Sequence, residues 1–237
     1  MDTDSIAEVW DRVTGTQPGP PAAVVVATGL VALAVVAARG PWRVARNAVT
    51  IAHEAGHGLA ALLTGRRLEG IRLHSDTSGL TVSRGRPTGF GMILTAAAGY
   101  TAPPLLGLAG AWLLADGRVT ALLWGATALL LAVLVMVRNV YGVLSVVVTG
   151  GLFFLVSWFA GPEVRAAFAY GAVWFLLLGG VRPVFELQGK RRRGEAPDSD
   201  ADQLARLTNA PAALWLLLFH AVALCSLTGG GRWLLGL

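Results

Sequence analysis

The sequence predicts an all-α polytopic membrane protein, with about six transmembrane helices, one further helix that carries a polar motif, and a small β-hairpin directly after that helix. Three observations carry this expectation. Of the 237 residues, 54% are hydrophobic and 14% charged, outside the usual balance of a soluble domain. Several apolar runs reach the roughly 17–25 residues that a helix needs to cross a bilayer. One stretch, residues 66–86, breaks the pattern with polar, glycine and β-branched residues.

The elements follow in order. Residues 1–21 form an acidic, polar tail ending at Pro18, Pro20 and Pro21, which does not read as a cleavable signal peptide. The first span runs from Ala22 to Ala38, and Gly40-Pro41 is expected to break it. A second, less hydrophobic helix from Val44 to Leu63 includes Arg46, Asn47 and Thr50. Ile71-Arg72-Leu73-His74 and Leu80-Thr81-Val82-Ser83 flank Asp76–Gly79, the pattern of a β-hairpin. Further spans cover Phe90–Ala115, Thr120–Val137, Val140–Phe159, Ala167–Val181 and Pro211–Leu227. Pro103-Pro104 is expected to kink the first of these, or to split it after Gly99-Tyr100. Residues 188–210 read as a polar cytoplasmic loop. With no internal repeat, residues 22–237 form one integral-membrane domain. The single cysteine, Cys225, excludes an intrachain disulfide and a cysteine-rich metal site.

The net charge is +5 and comes mainly from arginine, which fits membrane topology and lipid headgroups; no nucleic-acid partner is expected. If the second helix spans fully, strict alternation separates the Lys190–Arg193 cluster from Arg39, Arg43 and Arg46. If it dips in and returns, or if the neighbouring hairpin re-enters, these residues share one side with Arg66, Arg67, Arg72, Arg84, Arg86, Arg138, Arg182 and Arg206. Only Arg12, Arg118, Arg165 and Arg232 then lie opposite. The second arrangement follows the positive-inside rule and puts both termini outside.

The second helix contains His53-Glu54-Ala55-Gly56-His57. Residues four apart share a helix face, about 6 Å apart along the axis, so His53 and His57 can offer two imidazoles to one Zn²⁺. Glu54 lies roughly 100° round the helix from His53, where it can act on a water without taking a coordination position. Zinc lowers the pKa of such a water, and Glu54 can accept its proton as general base. Gly56 and Gly58 allow another element to come close. The arrangement is economical: two of only four histidines stand at metal-binding spacing around a glutamate in an apolar helix, where ionisable groups are expensive.

Catalytic zinc usually takes three protein ligands and keeps one open position. For the third, His74, Asp76, Asp116, His220 and the acidic run Asp198–Asp202 are candidates. Asp116 falls on the opposite side in the favoured topology, His220 lies two to three turns into the last span, and His74 and Asp76 read as hairpin-surface residues. The acidic run shares the motif's side, yet it also precedes a helix whose N-terminus aspartates would cap. Spacing leaves cap and ligand both open. Arg138-Asn139 reads either as a short turn with a cytoplasmic anchor, or as a place where Asn139 donates hydrogen bonds to substrate or oxyanion.

The run Ile51-Ala52-His53-Glu54-Ala55-Gly56-His57-Gly58-Leu59-Ala60-Ala61-Leu62-Leu63-Thr64-Gly65 resembles the site-2 protease family of membrane zinc metalloproteases, in its small B-like branch. Gly79-Leu80-Thr81, Ala98-Gly99-Tyr100, Arg138-Asn139 and Ser199-Asp200-Ala201-Asp202-Gln203-Leu204-Ala205, followed by Thr208 and Pro211, add to the resemblance. It implies that a late aspartate completes the zinc site. The family's Leu-Asp-Gly tripeptide is missing here, and Asp200 is the positional substitute, with Asp202 next. It also implies a membrane-anchored protein or peptide as substrate. The expected function is therefore an intramembrane zinc endopeptidase in the plasma membrane, with its motif near the cytoplasmic face. The alternatives are a non-proteolytic zinc-binding scaffold or assembly factor and, more remotely, a transporter.

Overall fold

Residues 15–237 are described by the computed structural model, and among them the chain forms eight helices and one two-stranded sheet. The expectation for residues 1–14, most of the polar tail, falls outside the described residues. Helix α1 (Ala22–Ala37) is followed at once by α2 (Arg39–Leu63), bent from it by 102°. The break falls at Ala38, in an extended conformation, and not at Gly40-Pro41. Pro41 sits in the first turn of α2, where a backbone N–H would have no helical acceptor, so proline is tolerated there.

Strands β1 (Arg67–Leu73) and β2 (Gly79–Arg84) form the expected antiparallel hairpin, with an irregularity between Leu68 and Gly70. Helix α3 (Phe90–Ala115) runs unbroken through Pro103-Pro104, which rules out a split after Gly99-Tyr100, one of the two expected outcomes. Membrane helices tolerate internal proline where neighbours pack closely. Here Gly180 lies against the Pro104 ring, leaving too little room for even a β-carbon. Helices α4 (Val119–Met136), α5 (Val140–Phe159), α6 (Pro162–Arg192), α7 (Asp200–Thr208) and α8 (Ala212–Leu235) complete the chain. The expected loop at 188–210 is therefore largely helical. Leu187, Gln188, Lys190, Arg191 and Arg192 are good helix formers, and basic residues suit a helix C-terminus.

Five helices, α3, α4, α5, α6 and α8, are long and apolar enough to cross a membrane, and the bent pair α1–α2 raises the number to six. On α5, Leu144, Val148, Leu152 and Leu155 are exposed. In a bilayer, such a surface needs no protein cover. Helix α3 is central, packing on α2, α6 and α8, while α1 lies on α6 and α4 pairs with α5.

Contacts sort the loops into two ends. At one end, Gln17 N–H donates to Gly117 O (2.8 Å), tying the chain before α1 to the α3–α4 turn. At the other, Arg138 N–H donates to Ile71 O (2.9 Å), seating β1 on the α4–α5 turn above Ile51, Leu73 and Val146. Alternating spans bring the C-terminus of α6, and α7 after it, to this second end. Of the basic residues described, only Arg118, Arg165 and Arg232 belong to the first end.

Candidate metal centre

The two histidines come from one face of α2, and that face is pressed onto α3. A β-carbon at Gly56 would collide with Ala102 and with the Ala98 carbonyl, so glycine lets the two backbones approach. Gly99 of α3 sits directly beneath the two imidazoles, where any side chain would displace them. The His57 ring is fixed from behind, with Nδ1 2.6 Å from the Thr95 carbonyl. A carbonyl can only accept, so Nδ1 carries the hydrogen and Nε2 is left with a free lone pair. The Tyr100 ring meets His53 edge to face at 4.8 Å and stacks on Phe219 of α8 at 5.2 Å. Thr95 and Gly99 lie about 8 and 14 Å along α3 from its start, at 1.5 Å per residue. The imidazoles are thus set into the bundle, below its polar end.

Helix α7 brings Asp200 to the same point. Its Oδ2 lies 3.3 Å from His53 Nε2 and 3.4 Å from His57 Nε2, and the two Nε2 atoms are 3.1 Å apart. These three residues form a group that could hold a metal ion. Asp200 Oδ2 is buried and has no hydrogen-bond partner among the described residues, as expected of an atom reserved for a ligand.

Asp202, the alternate candidate, is engaged elsewhere. It forms an ion pair with Arg191 at the end of α6 and accepts a hydrogen bond from Ser199 Oγ (2.5 Å). Arg191 also reaches Ser199 Oγ at 3.3 Å. Burial resists its ionisation, and these donors more than offset that, keeping its carboxyl below the ordinary range. The clasp and the apolar contacts of Ala201 and Leu204 hold α7 in place. The other candidates do not join the group. His74 and Asp76 bond to Ser78 within the hairpin turn, Asp116 pairs with Arg118, and His220 Nδ1 faces the Leu216 carbonyl.

Glu54 is 4% exposed, and its Oε2 accepts a hydrogen bond from Thr81 Oγ1 at 2.6 Å. A cleft of about 290 Å³, bordered by Arg46, His53, Glu54, Tyr100, Lys190 and the hairpin turn, opens onto these groups. Asn139 stands away from the metal group. Its Oδ1 accepts from Leu73 N–H (3.1 Å) and its Nδ2 donates to Leu73 O (2.7 Å), so its amide imitates a neighbouring strand on the open edge of β1. Of the two readings of Arg138-Asn139, the short turn is the one seen, between α4 and α5. The sequence pattern points to no role at the site for Thr81, Thr95 or Arg191. Thr95 acts through its backbone, which no side-chain pattern reveals. Arg191 was hidden in a basic run, and Thr81 stood only within the Gly79-Leu80-Thr81 resemblance.

A family model described as Peptidase M50B-like matches residues 26–230, a stretch that includes the motif helix, the hairpin and α7. No curated protein and no solved structure matches the chain. The chain thus belongs to the Peptidase M50B-like family, metallopeptidases of the site-2 protease type, and is a membrane protein with a His-His-Asp group able to bind a metal.

Proposed function

We propose that the protein is an intramembrane zinc endopeptidase that hydrolyses a peptide bond in a membrane-anchored protein. The observation that carries this reading is the meeting of His53, His57 and Asp200, with Glu54 bordering the same cleft as His53. A tetrahedral site with ligands about 2.05 Å from the metal needs donors about 3.3 Å apart. The three separations here, 3.1, 3.3 and 3.4 Å, suit zinc. Three donors among the described residues also favour a catalytic site over a structural one, which would close its shell with four.

Zinc, when bound, supplies Lewis acidity that eases deprotonation of water and stabilises the developing oxyanion. His53, His57 and Asp200 hold it. Glu54 takes the proton from water as general base and returns it to the leaving amine. The cleft admits water beside Glu54. Strand β2 pairs with β1 on one edge, and among the described residues no strand pairs with the other. An extended, unwound substrate could add there, alongside Glu54. The gathering of basic residues at the hairpin end supports a cytoplasmic location for the site in the plasma membrane. By the same topology, residues 188–210 face the cytoplasm.

The test uses purified protein in vesicles with a single-span reporter. Glu54→Gln should retain zinc and lose roughly 10²–10⁴-fold in cleavage rate, the usual contribution of a general base. Normal cleavage by Glu54→Gln would overturn the proposal. Wild type that holds zinc yet cleaves nothing would point instead to a zinc-binding scaffold.

A further inference from the structure

We propose that strand β2 positions the general base: Thr81 fixes one oxygen of Glu54, and Gly79 keeps open the space of the other. This rests on the protease reading above. Residues two apart on a strand face the same way, so Gly79 and Thr81 both address the motif helix. Thr81 Oγ1 is 2.6 Å from Glu54 Oε2 and 3.1 Å from the Glu54 main-chain oxygen. The hydroxyl has one proton and gives it to the charged oxygen, the stronger acceptor. That contact orients a carboxylate which, among the described residues, has no ion-pair partner and is nearly inaccessible.

The free oxygen, Oε1, points at Gly79. A β-carbon at residue 79 would collide with Oε1, Cγ and Cδ of Glu54. Glycine is required here for the room it leaves, and any side chain would push the carboxylate out of line. Gly-x-Thr on β2 therefore acts as a mould, with one wall absent and the other a donor.

The mould is braced independently of Glu54. Thr50 Oγ1 donates to Thr77 O (3.0 Å), tying the hairpin turn to α2. Asn139 and the Arg138 N–H hold β1, and β1 holds β2. The hairpin thereby sets the geometry of the reacting carboxylate as well as offering an edge to substrate. Thr81 is a positioning residue, since it acts through Glu54.

The test compares Thr81→Val, Thr81→Ser and Gly79→Ala with wild type and Glu54→Gln. Valine keeps the shape and strand preference of threonine but cannot donate. Thr81→Val should keep its zinc content and melt somewhat lower because a buried carboxylate loses its donor, with kcat down roughly tenfold or more and KM within about twofold, the signature of an interaction made in the transition state. Thr81→Ser should restore kcat. In metal-free protein, the Glu54 carboxylate stretch, isolated as the infrared difference between wild type and Glu54→Gln, should shift in Thr81→Val and return in Thr81→Ser. Gly79→Ala should also lose turnover while keeping zinc. An unchanged kcat in Thr81→Val, equal impairment of the serine variant, or loss of zinc with the valine would overturn the proposal. If Glu54→Gln is inactive while Thr81→Val is normal, the mould alone fails. If Glu54→Gln is fully active, the protease reading fails with it.

Discussion

The metal group has two halves that are held in different ways. His53 and His57 stand one turn apart on α2, and their spacing is fixed by the helix itself. Their backing is dense, from Gly56 on Ala98 and Ala102 to the Thr95 carbonyl on His57. Asp200 comes from a nine-residue helix much later in the chain. So short a helix is not stable by itself, and its place depends on tertiary contacts. Those contacts are the Arg191–Asp202–Ser199 clasp and the small apolar seat of Ala201 and Leu204. One half is preformed by local chain geometry, and the other is delivered.

The sharpest way to test this division is to remove a ligand from each half. His57→Ala and Asp200→Ala should each weaken zinc binding by more than the roughly 10–100-fold that loss of an outer-shell partner costs. They should differ in what happens to the apo protein. His57→Ala leaves a cavity in a packed interface and should lower the melting temperature. Asp200→Ala removes a buried carboxylate from a site that is empty without metal and should leave the melting temperature nearly unchanged. Metal titration with thermal melting of both apo proteins reads the two effects. Equal melting shifts would show that the halves are supported alike.

The same division explains what the sequence could reveal. The spans were legible because apolarity over about 20 residues is a local property, and α5 has the same limits in sequence and structure. The hairpin was legible from β-branched runs around a turn, and the histidine pair from helical spacing. The α1–α2 bend was foreseen but set at Gly40-Pro41, because proline's effect depends on where the helix starts. At Pro103-Pro104, α3 packs closely on Gly180 of another helix, a contact that no local pattern contains. Choosing between Asp200 and Asp202 needed α7 to be docked. Both aspartates lie in the first turn of α7, and only its orientation turns one to the histidines and the other to Arg191.

That orientation yields a prediction of intermediate size. Arg191→Ala should reduce zinc affinity about tenfold, the lower end of an outer-shell loss, because Asp200 stays present but is less firmly placed. The exchange Arg191→Asp with Asp202→Arg should recover most of the loss, whereas either single reversal should be worse than alanine. Isothermal titration with zinc on the four proteins gives the result. An exchange no better than the single reversals would show that α7 is held by its apolar seat alone. Neutralising Arg192 next door provides a control of equal charge and should leave affinity as in the wild type.

The smallest expected effect is at Asn139, on the hairpin side. Its side chain makes two hydrogen bonds to Leu73, at 3.1 and 2.7 Å. Replacing it by alanine leaves the Leu73 N–H and carbonyl without those partners, at a cost of about 1–3 kcal/mol. The loss falls on the edge of β1, outside the metal-binding group, so zinc affinity should not change. Turnover should fall modestly, because β2 is held through β1 and carries Thr81. Amide exchange should quicken in residues 67–84 but not in 200–208. Asn139→Asp sharpens the test, since a carboxylate keeps the acceptor for Leu73 N–H but loses the donor to Leu73 O. It should be at least as impaired as alanine if Asn139 fastens the strand, because a carboxylate oxygen then faces the Leu73 carbonyl. If Asn139 instead donates to substrate, both variants should raise KM with no change in exchange at the hairpin.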